Sequence, residues 1–376
     1  MELPRHDVDP DGLLEYSVVF TDRSLNHMSQ RFVAVMQDAV EILTTSYAAD
    51  TVALVPGGGT FGMEAVARQL MTGKRIVVVR NGFFSYRWSQ ILDRGGIAES
   101  VTVCRAQSVN ADAHSAWVPP PVEEVVETIR REGPAVVCAA HVETASGILL
   151  PDGYVRALAD AAHEVGALLV LDCIASGALW VDMRALGVDV LLSAPQKGWS
   201  GTPCTGYVLL NATAGEAVRT SASSSFAADL RRWLEITEGY AGGTAAYHAT
   251  MPTDGIEHNV ELMRETVDIG LDTLRSAQVE LGGRVRALLH DKGFASVAAA
   301  GYASPSVVVV HTDDPELRSG AAFRTVGLQV AAGVPLMCGE PDSWSTFRLG
   351  LFGLDKLTDV DGAVDRFSLA LERLGR

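Results

Sequence analysis

A single lysine follows an apolar run in LLSAPQKGWSGTPCTG, residues 191–206. A lysine at the end of a strand is commonly a solvated charge. In a partly dry pocket, however, Lys197 would have a lowered pKa, and its neutral amine could attack a carbonyl carbon. The segment alone leaves both interpretations open, so we turn to the other strand ends for further chemistry.

A glycine-rich turn, PGGGTFGMEA (56–65), follows an earlier strand-like run. Glycines let the backbone approach a ligand closely, and the N–H groups at the start of the following helix can bind an anion. Gly59 and Thr60 therefore outline a phosphate cradle, although a tight strand-to-helix turn with no ligand has the same pattern. Arg80 and Asn81 close the next strand, where a dinucleotide site would need an acidic residue, so a simpler phosphate is favoured.

An aspartate closes another strand-like run, ALLVLDC (167–173). A carboxylate at the tip of a buried strand is costly unless a cation or a hydrogen-bond donor pairs with it. Asp172 could cap a helix, form a structural ion pair, or face the protonated ring nitrogen of a ligand. Together with the glycine turn and Lys197, the last alternative matches pyridoxal phosphate. That cofactor requires a phosphate cradle, an acid for its pyridinium nitrogen and a lysine that binds its aldehyde carbon.

These three features lie at strand ends in a chain that alternates strands and helices. The apolar strand patterns are TVALV (51–55), KRIVVVR (74–80), SVTVCRA (100–106), PAVVCAA (134–140), ALLVLDC (167–173), VDVLLSA (188–194) and TGYVLLN (205–211). Amphipathic helical patterns precede and separate them, the first over residues 29–47. This alternation indicates an α/β fold with a largely parallel sheet covered on both faces. Ligands of such sheets bind beyond the carboxyl ends of the strands.

The sequence pattern changes near residue 255. A long helical stretch over 254–294 is followed by the strand SPSVVVVHT (304–312), the segment STFRLGLFG (345–353) and a last helix over 359–375. These roughly 120 residues are of ordinary domain size. We therefore predict an N-terminal segment (1–24), a large domain (25–255) and a smaller C-terminal domain (256–376).

Composition and charge narrow the class of protein. Of 376 residues, 48% are hydrophobic and 20% are charged, as in a soluble globular enzyme. The net charge of −16 argues against nucleic-acid binding, which depends on clustered lysine and arginine. No apolar run is as long as a transmembrane helix, and MELPRHDVDPDG at the N-terminus is unlike a signal peptide. Five scattered cysteines without a CxxC pair favour a reducing cytoplasm over a disulfide framework, and we expect no metal site.

The order of the motifs resembles that of the fold-type I, class V aminotransferases, especially the alanine–glyoxylate, serine–pyruvate and aminoethylphosphonate members. The resemblance runs from about residue 25 to the C-terminus. Its motifs are PGGGTFGMEA, NGFFSYRW, HVETASGILLP, VLDCIAS, SAPQKGWSGTPCTG, AYHATMP and FRLGLFG. It implies a pyridoxal phosphate-dependent aminotransferase with a mostly parallel seven-stranded sheet in the large domain and a smaller C-terminal α+β domain.

The resemblance also implies a role for each matching residue. Lys197 would hold the cofactor covalently and later move a proton at the substrate's Cα, while Asp172 would keep the ring nitrogen protonated. The ring would stack on Phe84, where most family members have tryptophan or tyrosine. The residues implied for the phosphate are Gly58, Gly59, Thr60 and Gln196, and Thr144 is implied for the ring oxygen.

Residues near the C-terminal domain complete the implied site. Tyr247 and Thr250, in AYHATMP, match a pair that reaches the phosphate of the neighbouring subunit, which implies an obligate homodimer with shared active sites. Arg348 matches the arginine that binds the substrate carboxylate, and its planar guanidinium suits bidentate binding. The implied reaction moves an amino group from a small alanine- or serine-like amino acid to a 2-oxo acid such as glyoxylate or pyruvate, with ping-pong kinetics.

One region departs from the family pattern. The family usually opens with a Pro-Gly-Pro segment whose backbone lines the substrate pocket. The corresponding region here, LLEYSVVFTDRSLNH (13–27), contains no such motif. The cofactor chemistry does not depend on that segment, but the identity of the amino donor is left open.

Two other functions remain open from the sequence. Cysteine desulfurases and elimination lyases share this fold, and Cys338 stands ten residues before Arg348, in the region of the desulfurase nucleophile. Against this, Gln196 occupies the position of the histidine that desulfurases generally have before the lysine, and Phe84 replaces the histidine that stacks on the ring. A non-catalytic nucleotide-binding protein of doubly wound fold would require Lys197 to be incidental.

Overall fold

The seven strands that the sequence predicts for the large domain form one sheet. The computed structural model describes residues 14–375. Each of the seven strands lies within about two residues of its predicted bounds. The strands are β1 (Thr51–Pro56), β2 (Arg75–Arg80), β3 (Ser100–Arg105), β4 (Gln107–Ser108), β5 (Trp117–Val118), β6 (Val136–Ala140), β7 (Leu168–Asp172), β8 (Val190–Ser193), β9 (Thr205–Leu210), β10 (Val307–His311), β11 (Ala331–Ala332) and β12 (Thr346–Gly350).

Helices separate most of the strands and cover the sheet. They are α1 (Gln30–Tyr47), α2 (Gly59–Leu70), α3 (Phe83–Arg94), α4 (Val122–Glu132), α5 (Asp152–Glu164), α6 (Met183–Leu186), α7 (Ala212–Thr220), α8 (Leu230–Ala241), α9 (Thr253–Ile269), α10 (Leu271–Asp291), α11 (Pro315–Arg318), α12 (Ala321–Thr325), α13 (Leu354–Leu357) and α14 (Val360–Arg373). Within residues 14–375, no helix has the length and apolar character needed to cross a lipid bilayer.

The strand order of the large sheet is β1-β9-β8-β7-β6-β2-β3, and β9 is its one antiparallel strand. The predicted mostly parallel, seven-stranded sheet is therefore confirmed. In the register of the central strands, Asp172 lies opposite Ala140 of β6 and Leu192 of β8. Because these three strands are parallel, the residues that follow them emerge side by side at one edge of the sheet.

The central strands are apolar because both faces of the sheet are covered. Strands β6, β8 and β9 are buried along their whole length, as expected of a parallel sheet between two layers of helices. Large side chains fill the space around it, with Trp88, Trp199 and Trp233 at most 2% exposed. This packing gives the loops at the sheet edge a rigid base.

A second sheet of three strands, in the order β10-β12-β11, places Arg348 on its central strand. Helix α10 packs on this sheet and on α14. The predicted domain boundary at residue 255 falls inside α9, a helix that packs against α1. The three-part division remains a prediction, and residues 1–13 of its N-terminal segment lie outside the described residues.

The helical stretch predicted over 254–294 is two helices rather than one. Gly270 separates α9 from α10 with a φ of +102°, a left-handed conformation that favours glycine. Both helices bury an apolar stripe, so hydrophobic spacing continues across the break and does not reveal it. The two-residue strands β4 and β5 are likewise too short to give a periodic signal.

Candidate active site

A cavity of about 180 Å³ lies at the carboxyl edge of the large sheet. It brings together seven of the residues that the sequence predicts for the site: Gly59, Thr60, Phe84, Thr144, Asp172, Gln196 and Lys197. They come from five separate strand ends or helix starts. Arg87, Val142, Ile174 and Ala175, which are not among the predicted residues, also line the cavity.

The glycine turn after β1 brings the backbone of α2 up to this cavity. Gly57 and Gly58 have φ values of +118° and +146°, which disfavour residues with a side chain. A Cβ atom at Gly59 would collide with the side chain of Ile174. Helix α2 therefore begins with its backbone against the cavity wall, and the first N–H groups of a helix have no intrahelical acceptor. The turn can bind an anion.

The Asp172 carboxyl group ends β7 and is 7% exposed. Burial raises its pKa to about 6. The backbone N–H of Ile174 donates to Oδ1 at 2.9 Å and opposes this shift, as do the positive charges of Arg87 and Lys197. Oδ2 accepts no hydrogen bond from any residue within 14–375. A cation beside Oδ2 would favour the ionised carboxylate, and a protonated ring nitrogen is such a cation.

Lys197 follows β8 on a tightly anchored loop. Gly201 N donates to Pro195 O at 2.8 Å, and a Cβ at Gly198 would collide with the backbone of Gly177. The Lys197 side chain is half-buried, and its Nζ lies 4.9 Å from the centroid of the Phe352 ring. Burial lowers the pKa of Lys197, and the positive charge of Arg348 lowers it further. A larger fraction of neutral amine makes the group a better nucleophile.

Two buried polar atoms near the cavity have no partner in the described part of the chain. They are Oγ1 of Thr144 and Oε1 of Gln196. Buried polar groups in native proteins are almost always hydrogen-bonded, so both atoms indicate a polar ligand or ordered water. The anion-binding turn, the buried Asp172 and the Lys197 amine add the features that pyridoxal phosphate requires. The residues present therefore fit this cofactor.

Phe84 lies in the first turn of α3, which a buried glutamate holds in place. The Glu143 side chain is fully buried and accepts hydrogen bonds from Phe84 N (3.1 Å), Ser85 N (2.8 Å), Ser85 Oγ (2.7 Å) and Ala145 N (3.0 Å). Sequence reasoning missed Glu143. A signal was present, because an acidic residue inside the apolar run around HVETASGILL is as unusual as Asp172 at the end of its strand.

Two guanidinium groups flank the Phe84 ring. The Cζ atoms of Arg87 and Arg348 lie 5.1 Å and 5.5 Å from the ring centroid. Arg348 Nε donates to Ala332 O at 2.8 Å, and Nη1 reaches Thr144 O at 3.5 Å. Burial lowers the pKa of Arg348, although the charge of Glu143 opposes this. Arg348 therefore lies at the rim of the cavity, next to Phe84 and Thr144, and its binding of a substrate carboxylate stays a prediction.

Tyr247 and Thr250 lie elsewhere in the chain. Their hydroxyl oxygens are 3.4 Å apart, and both residues are exposed to solvent. The Tyr247 ring contacts the His27 ring, with 5.3 Å between centroids. Neither residue lines the cavity of its own chain. Their predicted action across a subunit interface remains a prediction, as does the role of each predicted site residue.

The segment that departs from the family pattern does not line the cavity either. Within its described part, residues 14–27, the backbone N–H of Leu25 donates a hydrogen bond to Asp254 Oδ1 at 2.9 Å. The carbonyl oxygen of His27 accepts a hydrogen bond from Tyr240 at 2.9 Å. This segment therefore packs on α8 and α9, and it supplies no wall to the cavity around Lys197.

Cys338 lies in a loop that is closed around its own glutamate. The Glu340 carboxylate accepts hydrogen bonds from the backbone N–H groups of Leu336, Met337, Cys338 and Gly339, at 2.6 to 3.1 Å. The Cys338 thiol donates to Arg80 O at 3.4 Å. Burial raises the pKa of Cys338 to about 12, and the charges of Glu143 and Glu340 add to the shift. A thiol of this kind is not a thiolate nucleophile at neutral pH.

Comparison with known proteins identifies relatives over most of the chain. The sequence pattern of the class-V aminotransferases matches residues 13–299. A 2-aminoethylphosphonate–pyruvate transaminase of Paraburkholderia phymatum is 28% identical, covering 94% of this chain and 90% of the relative. The 2-aminoethylphosphonate–pyruvate transaminase 2 of Paraburkholderia xenovorans is 30% identical, and the match covers 85% of this chain and 82% of the relative. The crystal structure of an alanine–glyoxylate aminotransferase from Nostoc sp. superposes with a TM-score of 0.78 at 22% identity, covering 93% and 89%.

The buried, protonated state of Cys338 predicts slow alkylation. With a pKa raised to about 12, the reactive thiolate is scarce at pH 8 and increases only as the pH approaches 12. Iodoacetamide at pH 8 should therefore label Cys338 at least about a hundredfold more slowly in the folded protein than in the urea-unfolded protein. Mass spectrometry of the peptide containing Cys338 measures both rates. Equal rates would contradict the described environment of the thiol.

Proposed function

Because the chain belongs to the class-V aminotransferases, we propose that the cavity around Lys197 is its active site, where a small amino donor and a 2-oxo acid react in turn. The observation that supports this most is the meeting of Lys197, Asp172 and the start of α2 around one cavity. Pyridoxal phosphate is the cofactor of this family of enzymes. When bound, it supplies an electron sink for the negative charge that develops at the substrate's Cα.

Lys197 has two tasks in this proposal. Its Nζ would bind the aldehyde carbon of the cofactor. Its neutral amine would also accept the proton from the Cα of the donor in one half-reaction and donate a proton to the Cα of the new amino acid in the other. The lowered pKa of Lys197 supports both tasks, because only the neutral amine can attack a carbon or accept a proton.

Asp172 keeps the cofactor's ring nitrogen protonated. Its buried carboxyl group has a pKa raised to about 6, so a cation at its free oxygen is favourable on both sides: the carboxylate becomes ionised and the nitrogen retains its proton. Phe84 supplies an apolar face for the ring, and the unpartnered Thr144 hydroxyl suits the ring oxygen. The group proposed for the phosphate is Gly58, Gly59, Thr60 and Gln196.

Arg348 binds the carboxylate that donor and acceptor share. Within residues 14–375 its guanidinium donates to two carbonyl oxygens only, which leaves N–H groups for a substrate. We propose an alanine- or serine-like donor and glyoxylate or pyruvate as acceptor. The curated relatives are described as 2-aminoethylphosphonate–pyruvate transaminases, so aminoethylphosphonate belongs in the same donor screen. A phosphonate also offers oxygen atoms to a guanidinium fork.

A homodimer with shared sites forms part of the proposal. Tyr247 and Thr250 are exposed and lie away from the cavity of their own chain, and this supports contact with the phosphate of a second subunit. Exposed apolar side chains nearby, such as Phe226 at 76%, are suited to an interface. A cytoplasmic location is likewise proposed, and the five free cysteines support it.

Borohydride should fix the cofactor to Lys197, because reduction makes the proposed bond permanent. Mass spectrometry should find the label on the peptide that contains Lys197, and Lys197→Ala should lose both label and turnover. Asp172→Asn is the matched variant: it should keep the label yet slow the donor half-reaction by about a hundredfold or more. A label on Lys74 or Lys292, or a wild-type rate in Asp172→Asn, would overturn the corresponding assignment.

Loss of Arg348 should weaken both half-reactions equally, since both substrates carry the carboxylate. A charge-assisted hydrogen bond contributes roughly 1.5–3 kcal/mol, so Arg348→Ala should lower kcat/KM by about one to two orders of magnitude. Arg348→Lys should restore only part, because an ammonium lacks the planar fork. Cys338→Ala should leave both half-reactions nearly unchanged. Cysteine-dependent sulfide release that disappears in Cys338→Ala would instead establish a desulfurase.

A mixed dimer tests whether the sites are shared. One protomer carries Lys197→Ala, and the other carries Tyr247→Phe with Thr250→Val. If the tyrosine and threonine act across the interface, the mixed dimer has one site with every group intact, and the purified mixed dimer should recover about half of the wild-type activity because one of its two sites is complete. If they act within their own chain, neither site is complete and activity stays at the level of the parents. Stopped-flow half-reactions on co-expressed, doubly tagged dimers measure the outcome.

A further inference from the structure

Arg87 is a positively charged residue of the cavity wall to which the proposed function assigns no role. It lies on α3, one turn after Phe84, and its side chain is half-buried. It lines the cavity with Asp172 and Lys197, and its guanidinium carbon lies 5.1 Å from the centroid of the Phe84 ring. The guanidinium group of Arg87 therefore lies beside the Phe84 ring, at the wall of the cavity that the glycine turn also lines.

A hydrogen bond joins Arg87 to the glycine turn. Its Nη1 donates to Thr60 Oγ1 at 2.9 Å. A hydroxyl oxygen that accepts from a guanidinium still has its own proton to donate. The Thr60 hydroxyl can therefore donate to an anion at the start of α2 while it accepts the hydrogen bond from Arg87.

Most of the Arg87 donors are unused. Among the residues that the structure describes, Arg87 forms no ion pair and no hydrogen bond other than the one to Thr60. A guanidinium has five N–H groups, so four remain for a ligand. The guanidinium groups of Arg87 and Arg348 lie at the cavity wall and its rim, and Asp172 is the acidic residue of that wall. Two permanently charged guanidinium groups beside one carboxyl group are suited to an anionic ligand.

Two other arginines line a neighbouring groove that Arg87 also lines. This second cavity of about 330 Å³ shares Thr60 and Arg87 with the first and is also lined by Arg68 and Arg94. Arg68 is paired with Glu64 at 2.7 Å. Arg94 lines the groove but not the cavity around Lys197. Arg94 therefore provides a matched control of the same charge on the same helix.

We propose that Arg87 is a ligand of the cofactor's phosphate, which it contacts directly and through the Thr60 hydroxyl. This inference rests on the proposed function, because it assumes that the phosphate lies at the start of α2. Arg87 supplies the full positive charge that the helix N–H groups and hydroxyls of the cradle lack. It also links α3 to α2, so that cofactor binding fixes the position of Phe84.

The test compares the affinity of the apo-protein for pyridoxal phosphate with that for pyridoxal, which lacks the phosphate. Because it loses a charge-assisted contact, Arg87→Gln should have a dissociation constant for pyridoxal phosphate that is raised roughly tenfold to a hundredfold. The dissociation constant of pyridoxal should change by no more than about twofold. Arg87→Lys should lose less than Arg87→Gln. Arg94→Gln should bind both compounds like the wild type.

Three results would overturn the proposal. Equal losses of affinity for pyridoxal phosphate and for pyridoxal would show that Arg87 acts only by packing on Phe84. Equal losses in Arg87→Gln and Arg94→Gln would show a general field effect of the groove. Unchanged cofactor affinity with a raised KM for an anionic substrate would place Arg87 in the substrate pocket instead.

Two further measurements keep this test separate from the proposed function. At saturating pyridoxal phosphate, borohydride should still label Lys197 in Arg87→Gln, whereas absence of the label in the wild type would reject the active site itself. Thermal unfolding of the apo-variants should resemble that of the apo wild type. If Arg87→Gln does not fold, Arg87→Met keeps an apolar side chain of similar length against the Phe84 ring and should show the same selective loss for the phosphorylated compound.

Discussion

The buried carboxylate of Glu143 is the interaction on which the geometry of the site depends. A carboxylate without compensation is too costly to bury, but this one accepts four hydrogen bonds. Three of them come from Phe84 and Ser85, and the fourth comes from Ala145. The start of α3 and the loop after β6 are therefore held against each other. Gly82 adds to this constraint, since a Cβ there would collide with Glu143 and Ala145.

The large sheet and the segments held by Glu143 position the groups that are proposed to react. Asp172 ends β7 and Lys197 follows the neighbouring parallel strand β8, so both residues lie at the same edge of the sheet. Burial raises the pKa of Asp172 and lowers the pKa of Lys197, and both shifts favour the neutral form of the group. The two pKa shifts have opposite directions: Asp172 ionises less readily than an exposed carboxyl group, and Lys197 is protonated less readily than an exposed amine. In the proposed function, a ring cation beside Asp172 would stabilise the ionised form of its carboxyl group, and the neutral amine of Lys197 would bind the cofactor.

Contacts between the edge of the large sheet and the C-terminal region bring Arg348, the proposed substrate-carboxylate ligand, to this edge. Arg348 Nη1 meets Thr144 O, Leu354 N donates to Ser200 Oγ at 2.8 Å, and Arg80 Nη1 donates to Met337 O at 3.1 Å. Each contact joins a strand end or loop at the edge of the large sheet to the region of the small sheet. The same contacts hold the loop of Cys338 against Arg80, which explains why a cysteine near the site is protonated rather than reactive.

The amino-acid sequence by itself determined the strands, their apolar character and the positions of Lys197, Asp172 and the glycine turn at their ends. Those features are local: each depends on the period of a short run and on the residue that closes it. Strand ends in a parallel sheet share one edge, so the pattern also predicted that these groups meet. Only the tertiary structure decided what surrounds them. The bond between Ser85 and Glu143 joins residues 58 positions apart, and Arg87 reaches Thr60 across two helices. The state of Cys338 and the break at Gly270 also depend on packing between distant segments. Such contacts leave no periodic trace, because they are selected by the shape and charge of surfaces that exist only after the chain has folded.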